Sequence, residues 1–298
     1  MLGPVVIGVR MTYVRPSTYT KGIDPLYDAD NVIAHPTGAK PKGRLLLWLG
    51  GTSTIPKMYQ YVVAVAALHG FNAIALEYPN LREVNALCRT SRDPDCWGDI
   101  RNEIFTGRST SRLVKVDATN SIQQRLVDLL QYLRLKDPSG GWNAFLTGDR
   151  ARWSTITIGG HSQGAGDAAY ISKYRRLAGD CPIESPADGN PNVATAAWLS
   201  VSPQTPPRLG YGFGNELDSF ANFGTMVLDW TTLGFAGPQT DVDDVKPPYF
   251  RSHQLFTVKQ FRGPLNSHDY PIMDYVTPLD AKGVPVFAPI WSYICGLD

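Results

Sequence analysis

Apolar runs and amphipathic stretches alternate through the middle of the chain. Residues 43–51 (GRLLLWLGG) and 71–79 (FNAIALEYP) are short, continuous apolar runs, a pattern typical of strands buried on both faces of a sheet. Between them, a run of helix-forming residues starts at Pro56 and stops at Gly70. This stretch therefore predicts a strand, a helix and a second strand.

A strongly amphipathic helix is predicted before Pro138, which would end it. Its apolar residues recur at spacings of three and four: Ile122, Leu126, Leu129, Leu130 and Leu133. A short strand at 154–160 (STITIGG) then leads into a predicted helix over 164–179. Similar runs predict further strands at 5–14, 31–36, 193–202, 231–237 and 254–260.

The alternation of strands and helices predicts an α/β fold, with a mostly parallel central sheet and helices on both of its faces. We expect one domain over residues 1–298, because the chain has no internal repeat. Residues 80–116 are irregular and charged, and residues 203–224 are rich in proline, glycine and aromatic side chains. Both stretches are predicted to be surface insertions of the lid type.

Composition excludes some function classes. Of the 298 residues, 43% are hydrophobic, which is enough for one large core. The net charge is +1 and no basic stripe occurs, which argues against a nucleic-acid partner. No apolar stretch reaches the roughly 18 residues of a membrane span. The N-terminus lacks the basic region and long apolar core that are typical of a signal peptide. The composition does not predict an oligomeric state.

The four cysteines bear on the compartment. Cys88 and Cys96 enclose the polar loop RTSRDPD, and their spacing fits no zinc pattern, because paired metal-binding cysteines usually stand two to four residues apart. We therefore predict a disulfide between them, and Cys181 and Cys295 could form a second. Disulfides indicate an extracellular or periplasmic protein, whereas free thiols would fit the cytoplasm.

One serine stands between two glycines at a predicted strand-to-helix junction. The stretch Gly160-His161-Ser162-Gln163-Gly164 matches G-x-S-x-G, with a strand before it and small residues after it. So sharp a turn strains its central residue, and the flanking glycines remove side chains that would clash. The turn would hold the Ser162 hydroxyl near the N–H groups that begin the next helix, where an anionic intermediate is stabilised.

With this junction the chain resembles the α/β-hydrolase superfamily, over roughly residues 43–275, and GHSQGA is similar to the junctions of esterases, lipases and cutinase-like enzymes. The resemblance implies that Ser162 is a nucleophile, followed along the chain by an acid and then by a histidine base. It implies hydrolysis of carboxylic esters, small or polymeric, through an acyl-enzyme and without a cofactor.

Two histidines follow the serine. His268 lies on a loop after the predicted strand 254–260, where the family places its base, whereas His253 precedes that strand and would lie at its opposite end. For the acid we expect Asp241, which follows the predicted strand 231–237 after a three-residue loop. Its competitors are Asp243, Asp244 and, if the strand is displaced, Asp229.

The resemblance also implies an oxyanion hole made of two backbone N–H groups. One belongs to the residue after the nucleophile, here Gln163, and the other to the loop that follows the strand 43–51. That loop has Leu49-Gly50 where the family often has His-Gly, so the second donor is either Gly51 or Thr52.

The remaining expectations concern the substrate. Aromatic residues of the stretch 203–224 are candidates for an apolar pocket: Tyr211, Phe213 and Phe220. No metal is predicted, because the Asp-rich segment 241–244 offers too few oxygen ligands for calcium. One rival hypothesis keeps the machinery but acts on thioesters, amides or a polyester. A second is a non-catalytic binding protein, which would usually lack one member of the triad.

Overall fold

A nine-stranded sheet forms the centre of the computed structural model, which describes residues 7–260 and 266–298. In chain order its strands are β1 (Val9–Val14), β2 (Asn31–Pro36), β3 (Leu45–Leu49), β4 (Asn72–Leu76), β5 (Ile156–His161), β6 (Gly179–Ile183), β7 (Gly212–Asn215), β8 (Gln239–Asp241) and β9 (Gln254–Thr257). Their order across the sheet is β1-β2-β4-β3-β5-β6-β7-β9-β8. β2 runs antiparallel to both of its neighbours, and the other pairs are parallel.

Helices cover both faces of this sheet. They are α1 (Gln60–Leu68), α2 (Val84–Cys88), α3 (Cys96–Thr106), α4 (Ile122–Lys136), α5 (Gln163–Tyr174), α6 (Phe223–Leu233) and α7 (Ala288–Ile294). Along β3, Leu45, Leu47 and Leu49 belong to the core shared with α3, α4 and α6, while Leu46 and Trp48 belong to the core shared with α1 and α7. Alternate residues of one strand thus feed two cores. The predicted α/β architecture, a mostly parallel sheet with helices on both faces, is therefore confirmed.

Two of the predicted strands are wrong. Residues 193–202 hold a short 3-10 helix, Ala197–Ser200, and residues 231–237 contain the end of α6, which stops at the left-handed Gly234. The sheet instead includes β6, β7 and the three-residue β8, which the apolar pattern did not indicate. β6 carries a buried aspartate, Asp180, and β7 reads Gly-Phe-Gly-Asn, so neither strand has an apolar run.

The stretch 80–116 is not irregular, since it contains α2 and α3. Both helices pack into the core, and α3 buries Trp97, Ile100, Ile104 and Phe105. The predicted Cys88–Cys96 disulfide is confirmed and joins α2 to α3, and a second disulfide joins Cys181 of β6 to Cys295 at the end of α7. The predicted first strand is confirmed from Val9 onward, while residues 5 and 6 lie outside the described residues.

A helix that crosses a lipid bilayer needs about 20 mostly apolar residues. In the two described ranges, no helix is both long enough and apolar enough to cross a membrane.

Candidate active site

Ser162 occupies the turn between β5 and α5 in a backbone conformation that is rare for a residue with a side chain. Its φ is 54° and its ψ is −121°. Neighbouring groups hold this conformation in place: the Ser162 N–H donates to the carbonyl of Ile183 in β6 at 2.9 Å, and the Ser162 carbonyl accepts from the N–H groups of Ala165 and Gly166. The strain is therefore offset by hydrogen bonds to the adjacent strand and the following helix.

The two flanking glycines allow the helix to start directly against the sheet. A Cβ atom added to Gly164 would lie 2.3 Å from the carbonyl oxygen of Leu49, and one added to Gly160 would lie 2.4 Å from the backbone of Gly164. Real side chains do not tolerate such distances. The G-x-S-x-G pattern is thus explained by close backbone approach at both glycines.

A cavity of about 410 Å³ opens above this turn. Ser162 and His268 line it together, although they are distant in sequence, and Gln163, Gly51 and Thr52 lie in its wall. The rest of its lining mixes polar and apolar side chains, among them Glu83, Val84, Asn85, Phe220 and Ala221. The predicted nucleophile and base therefore face one open cavity.

His268 is hydrogen-bonded to a carboxylate that sequence reasoning did not select. Its Nδ1 lies 2.6 Å from Oδ2 of Asp218, whose side chain is fully buried. Oδ1 of Asp218 accepts from the N–H groups of Phe220 at 2.7 Å and Ala221 at 3.1 Å. Burial alone would raise the pKa of Asp218, but its hydrogen bonds and the His268 charge outweigh that effect and lower the pKa below its usual value. Asp218 is therefore ionised.

The structure does not bring Asp241 to His268. Asp241 ends β8 and accepts the N–H of Asp243, while Asp243 binds Thr257 and the N–H of Val258. Asp229, the candidate that a displaced strand would have favoured, lies in α6, and its side chain accepts the N–H of Asp188. The reason is topological: Asp218 follows β7, a strand that the sequence pattern placed in a loop, whereas β8 is an edge strand beyond β9.

The oxyanion-hole candidates differ in whether their backbone N–H groups already donate hydrogen bonds within the protein. The N–H of Gly51 donates to the Tyr59 hydroxyl at 2.9 Å, so it is already used. The backbone N–H groups of Thr52 and Gln163 donate to no other group within the described ranges. The Thr52 hydroxyl donates to the Gln163 side-chain oxygen at 2.8 Å and ties the two segments together. Thr52 and Gln163 are therefore the available pair.

His161, the residue before the serine, connects the turn to the base. Its Nε2 lies 3.0 Å from the backbone carbonyl of His268, and its Nδ1 lies 3.0 Å from the Tyr59 hydroxyl. Burial and the nearby His268 charge lower the pKa of His161 to about 3, so it is neutral at physiological pH. A neutral imidazole that donates from Nε2 to the carbonyl must accept from Tyr59 at Nδ1.

A second buried residue that sequence reasoning missed lies beneath the turn. Arg101 of α3 makes a bidentate contact with Asp188 at 2.6 and 2.7 Å, and contacts Asp167 of α5 at 2.9 Å. It also donates to the Gln163 carbonyl at 3.3 Å. Through these bonds α3, which begins at the Cys88–Cys96 disulfide, is attached to the first turn of α5. An arginine in an apolar helix face was the available signal.

The three aromatic pocket candidates have different environments. Phe220 lines the cavity, with its ring centre 5.5 Å from that of His268 and 71% of its surface exposed. Phe213 is fully buried in the core, and Tyr211 stacks on His253 at 3.8 Å, away from the cavity. Only Phe220 of the three is therefore placed to contact a bound molecule there.

Two groups of side chains have ligand atoms close enough to consider a metal ion: His161 with His268 and Asp269, and Glu184 with Asp218 and His268. In the first group, both ring nitrogens of His161 are engaged by Tyr59 and by the His268 carbonyl. In the second group, Nδ1 of His268 is engaged by Asp218. In both groups, therefore, ring nitrogens that a metal would need already take part in hydrogen bonds within the protein.

The contacts of Tyr59 give a stability prediction. Tyr59→Phe would leave the Gly51 N–H and Nδ1 of His161 buried without a partner, and we expect the free energy of unfolding to fall by about 2–4 kcal/mol. Urea unfolding followed by fluorescence measures this change. Tyr61→Phe is the control, because its hydroxyl bonds no group in the described ranges, and should change the value by about 0.5 kcal/mol or less. Equal losses in both variants would contradict the assigned contacts.

Comparison with known proteins does not assign a family. No protein-family model matches the chain, and no curated protein matches it significantly.

Proposed function

We propose that the protein is a serine hydrolase of the α/β-hydrolase fold that cleaves carboxylic esters through an acyl-enzyme. One observation carries the proposal: a single cavity is lined by the strained Ser162 and by His268, whose Nδ1 is bonded to the buried carboxylate of Asp218. Nucleophile, base and orienting acid are the three groups that such chemistry needs. All three come from loops at the carboxyl ends of parallel strands, next to the start of α5.

In the first half-reaction, the Ser162 hydroxyl oxygen attacks the ester carbonyl carbon while Nε2 of His268 takes the hydroxyl proton. Asp218 holds Nδ1–H, which fixes the tautomer and stabilises the imidazolium. The carbonyl oxygen becomes an oxyanion, and the N–H groups of Thr52 and Gln163 stabilise it. When the tetrahedral intermediate collapses, the bond to the alcohol oxygen breaks, and His268 returns the proton to the leaving alcohol.

The second half-reaction repeats these steps with water. His268 takes a proton from water as the water oxygen attacks the acyl carbon. The resulting oxyanion is again stabilised by the N–H groups of Thr52 and Gln163. Collapse breaks the bond between the acyl group and Ser162, and the proton on His268 returns to the serine oxygen. The products are a carboxylic acid and the free enzyme, so neither half-reaction needs a cofactor.

The size of the cavity and the aromatic side chain at its rim indicate which esters the site would accept. A volume of about 410 Å³ fits a short ester better than a long acyl chain held entirely inside the protein. Phe220 favours a second candidate on the same machinery, a polymeric ester, because its ring is 71% exposed at the rim beside His268. A polymer could rest on such a ring while one ester bond enters the cavity.

The rival hypothesis of a non-catalytic binding protein is disfavoured, because no member of the proposed triad is missing. The two disulfides support export to an oxidising compartment, where such bonds persist.

Removal of the nucleophile tests the proposal. Ser162→Ala should lower kcat for p-nitrophenyl esters by about 10⁶-fold, because the base then has no hydroxyl to activate. The same assay with acyl chains of increasing length shows whether a short ester is preferred. Thermal unfolding of the variant confirms that it is folded. Activity that persists in the folded variant would refute the proposed mechanism.

The choice of acid gives a separate test. Asp218→Asn should lower kcat by about 10⁴-fold, because an amide cannot hold the imidazolium in the same tautomer. Asp241→Asn is the matched control, an aspartate at the end of the edge strand β8, and should keep activity within about threefold. A large loss in Asp241→Asn with little loss in Asp218→Asn would show that the acid is misassigned.

A further inference from the structure

A second buried carboxyl group lies directly behind Asp218. Glu184 follows β6 with a left-handed backbone, φ 59°, and is fully buried. Its N–H donates to the carbonyl of Phe213 at 2.9 Å. The preceding residue, Ile183, is the one whose carbonyl accepts the Ser162 N–H. Glu184 is therefore fixed to the same strand end that supports the nucleophile.

The two oxygens of Glu184 have different environments. Oε1 accepts the N–H of Asn215 at 2.7 Å. Oε2 receives no hydrogen bond from any donor in the described ranges, and it lies near Gly214, whose Cβ position would also be close to the apolar side chains of Met226 and Trp230. Gly214 leaves room there, since an added Cβ would be 3.3 Å from Oε2. Ionised, this oxygen would carry charge in an apolar site with no donor.

The Asp218 carboxylate lies beside the Glu184 carboxyl group and accepts a hydrogen bond from it when Glu184 holds a proton. Side-chain ligand atoms of Glu184, Asp218 and His268 all lie within 4.8 Å of one another. When two buried carboxyl groups lie this close, ionising both has a high free-energy cost because their charges repel. One of them is therefore expected to keep its proton. Asp218 has His268 and two backbone N–H groups to stabilise its charge, whereas Glu184 has one N–H.

The surrounding charges agree with this division. Burial and, after it, the negative charge of Asp218 raise the pKa of Glu184 well above its usual value, and the Asp269 carboxylate acts in the same direction. His268 is the basic group in the cluster, but its hydrogen bond goes to Asp218. A proton is therefore held more strongly by Glu184 than by Asp218.

We propose that Glu184 is a positioning residue of the hydrolytic site, whose neutral carboxyl group donates a hydrogen bond from Oε2 to the Asp218 carboxylate and so fixes how strongly that carboxylate holds His268. This role rests on the proposed function, because it extends the Ser162–His268–Asp218 arrangement to a fourth residue. Without the bond, the Asp218 carboxylate would carry a less stabilised negative charge and would hold a proton on His268 to higher pH.

Glu184→Gln tests the protonation state, because an amide can still donate to Asp218 from a similar position. We expect kcat/KM within about threefold of wild type and an acid limb of the pH–rate profile within about 0.3 pH units. If Glu184 were ionised, the substitution would remove a negative charge beside the base. The acid limb would then move to clearly lower pH, and that result would overturn the proposal.

Glu184→Met tests the hydrogen bond, since it keeps a similar length but cannot donate. We expect kcat to fall about 10- to 100-fold with little change in KM, and the acid limb to move to higher pH. Asp229→Asn is the control: Asp229 is also a buried carboxyl, with a pKa raised to about 8 by burial, but it binds the Asp188 N–H. Its acid limb should not move. A folded Glu184→Met protein with an unchanged acid limb would show a merely structural role.

A spectroscopic measurement decides the protonation state without activity. In the Ser162→Ala protein labelled with ¹³C at glutamate carboxyl carbons, the Glu184 signal, identified by its loss in Glu184→Gln, should keep the shift of a protonated acid from pH 6 to 8. The shift of a carboxylate would overturn the inference. If wild type shows no esterase activity, the proposed function fails while this measurement still decides Glu184. If wild type is active and Glu184 is ionised, the inference fails alone.

Discussion

The backbone strain at Ser162 is the constraint on which the rest of the site depends. A residue with a side chain adopts a φ of 54° only when its surroundings compensate the cost, which is about 1–3 kcal/mol. Here the compensation comes from the Ile183 carbonyl and from the bonds that start α5. The close contact of Gly164 with the Leu49 carbonyl then fixes α5 against β3. The serine hydroxyl is thereby held at a sheet edge where two backbone N–H groups remain available.

His268, the proposed base, is positioned from two sides. On one side Asp218 binds Nδ1 of His268, and on the other the neutral His161 binds the backbone carbonyl of the same residue. The ring and the main chain of His268 are therefore fixed by separate groups, both buried. Beneath them Arg101 attaches α3 to the first turn of α5. The segment 80–116 thus supports the site through a buried ionic contact rather than through its surface.

Sequence reasoning reached the parts of the site that local pattern encodes. The apolar runs of β3, β4 and β5 located three central strands, and the glycines around Ser162 located the turn, because both features depend on neighbours in the chain. The position of His268 after β9 brings it to the cavity that Ser162 lines. Its carboxylate partner Asp218 was not predicted, because β7 is a four-residue strand with two glycines, whose burial comes from neighbouring elements rather than from its own apolar residues. The contacts of Glu184 depend on distant residues and have no local signature, whereas Arg101 had one local signal, its place on the apolar face of α3.

Covalent labelling tests the central claim most directly. Diisopropyl fluorophosphate reacts with an activated serine, whose oxygen displaces fluoride from phosphorus, so the product can be located by peptide mass spectrometry. Wild type should gain one diisopropylphosphoryl group, on the peptide that contains Ser162, and Asp218→Asn should gain it far more slowly. Labelling at another serine, or equal rates in the two proteins, would contradict a nucleophile at Ser162 activated through His268 and Asp218.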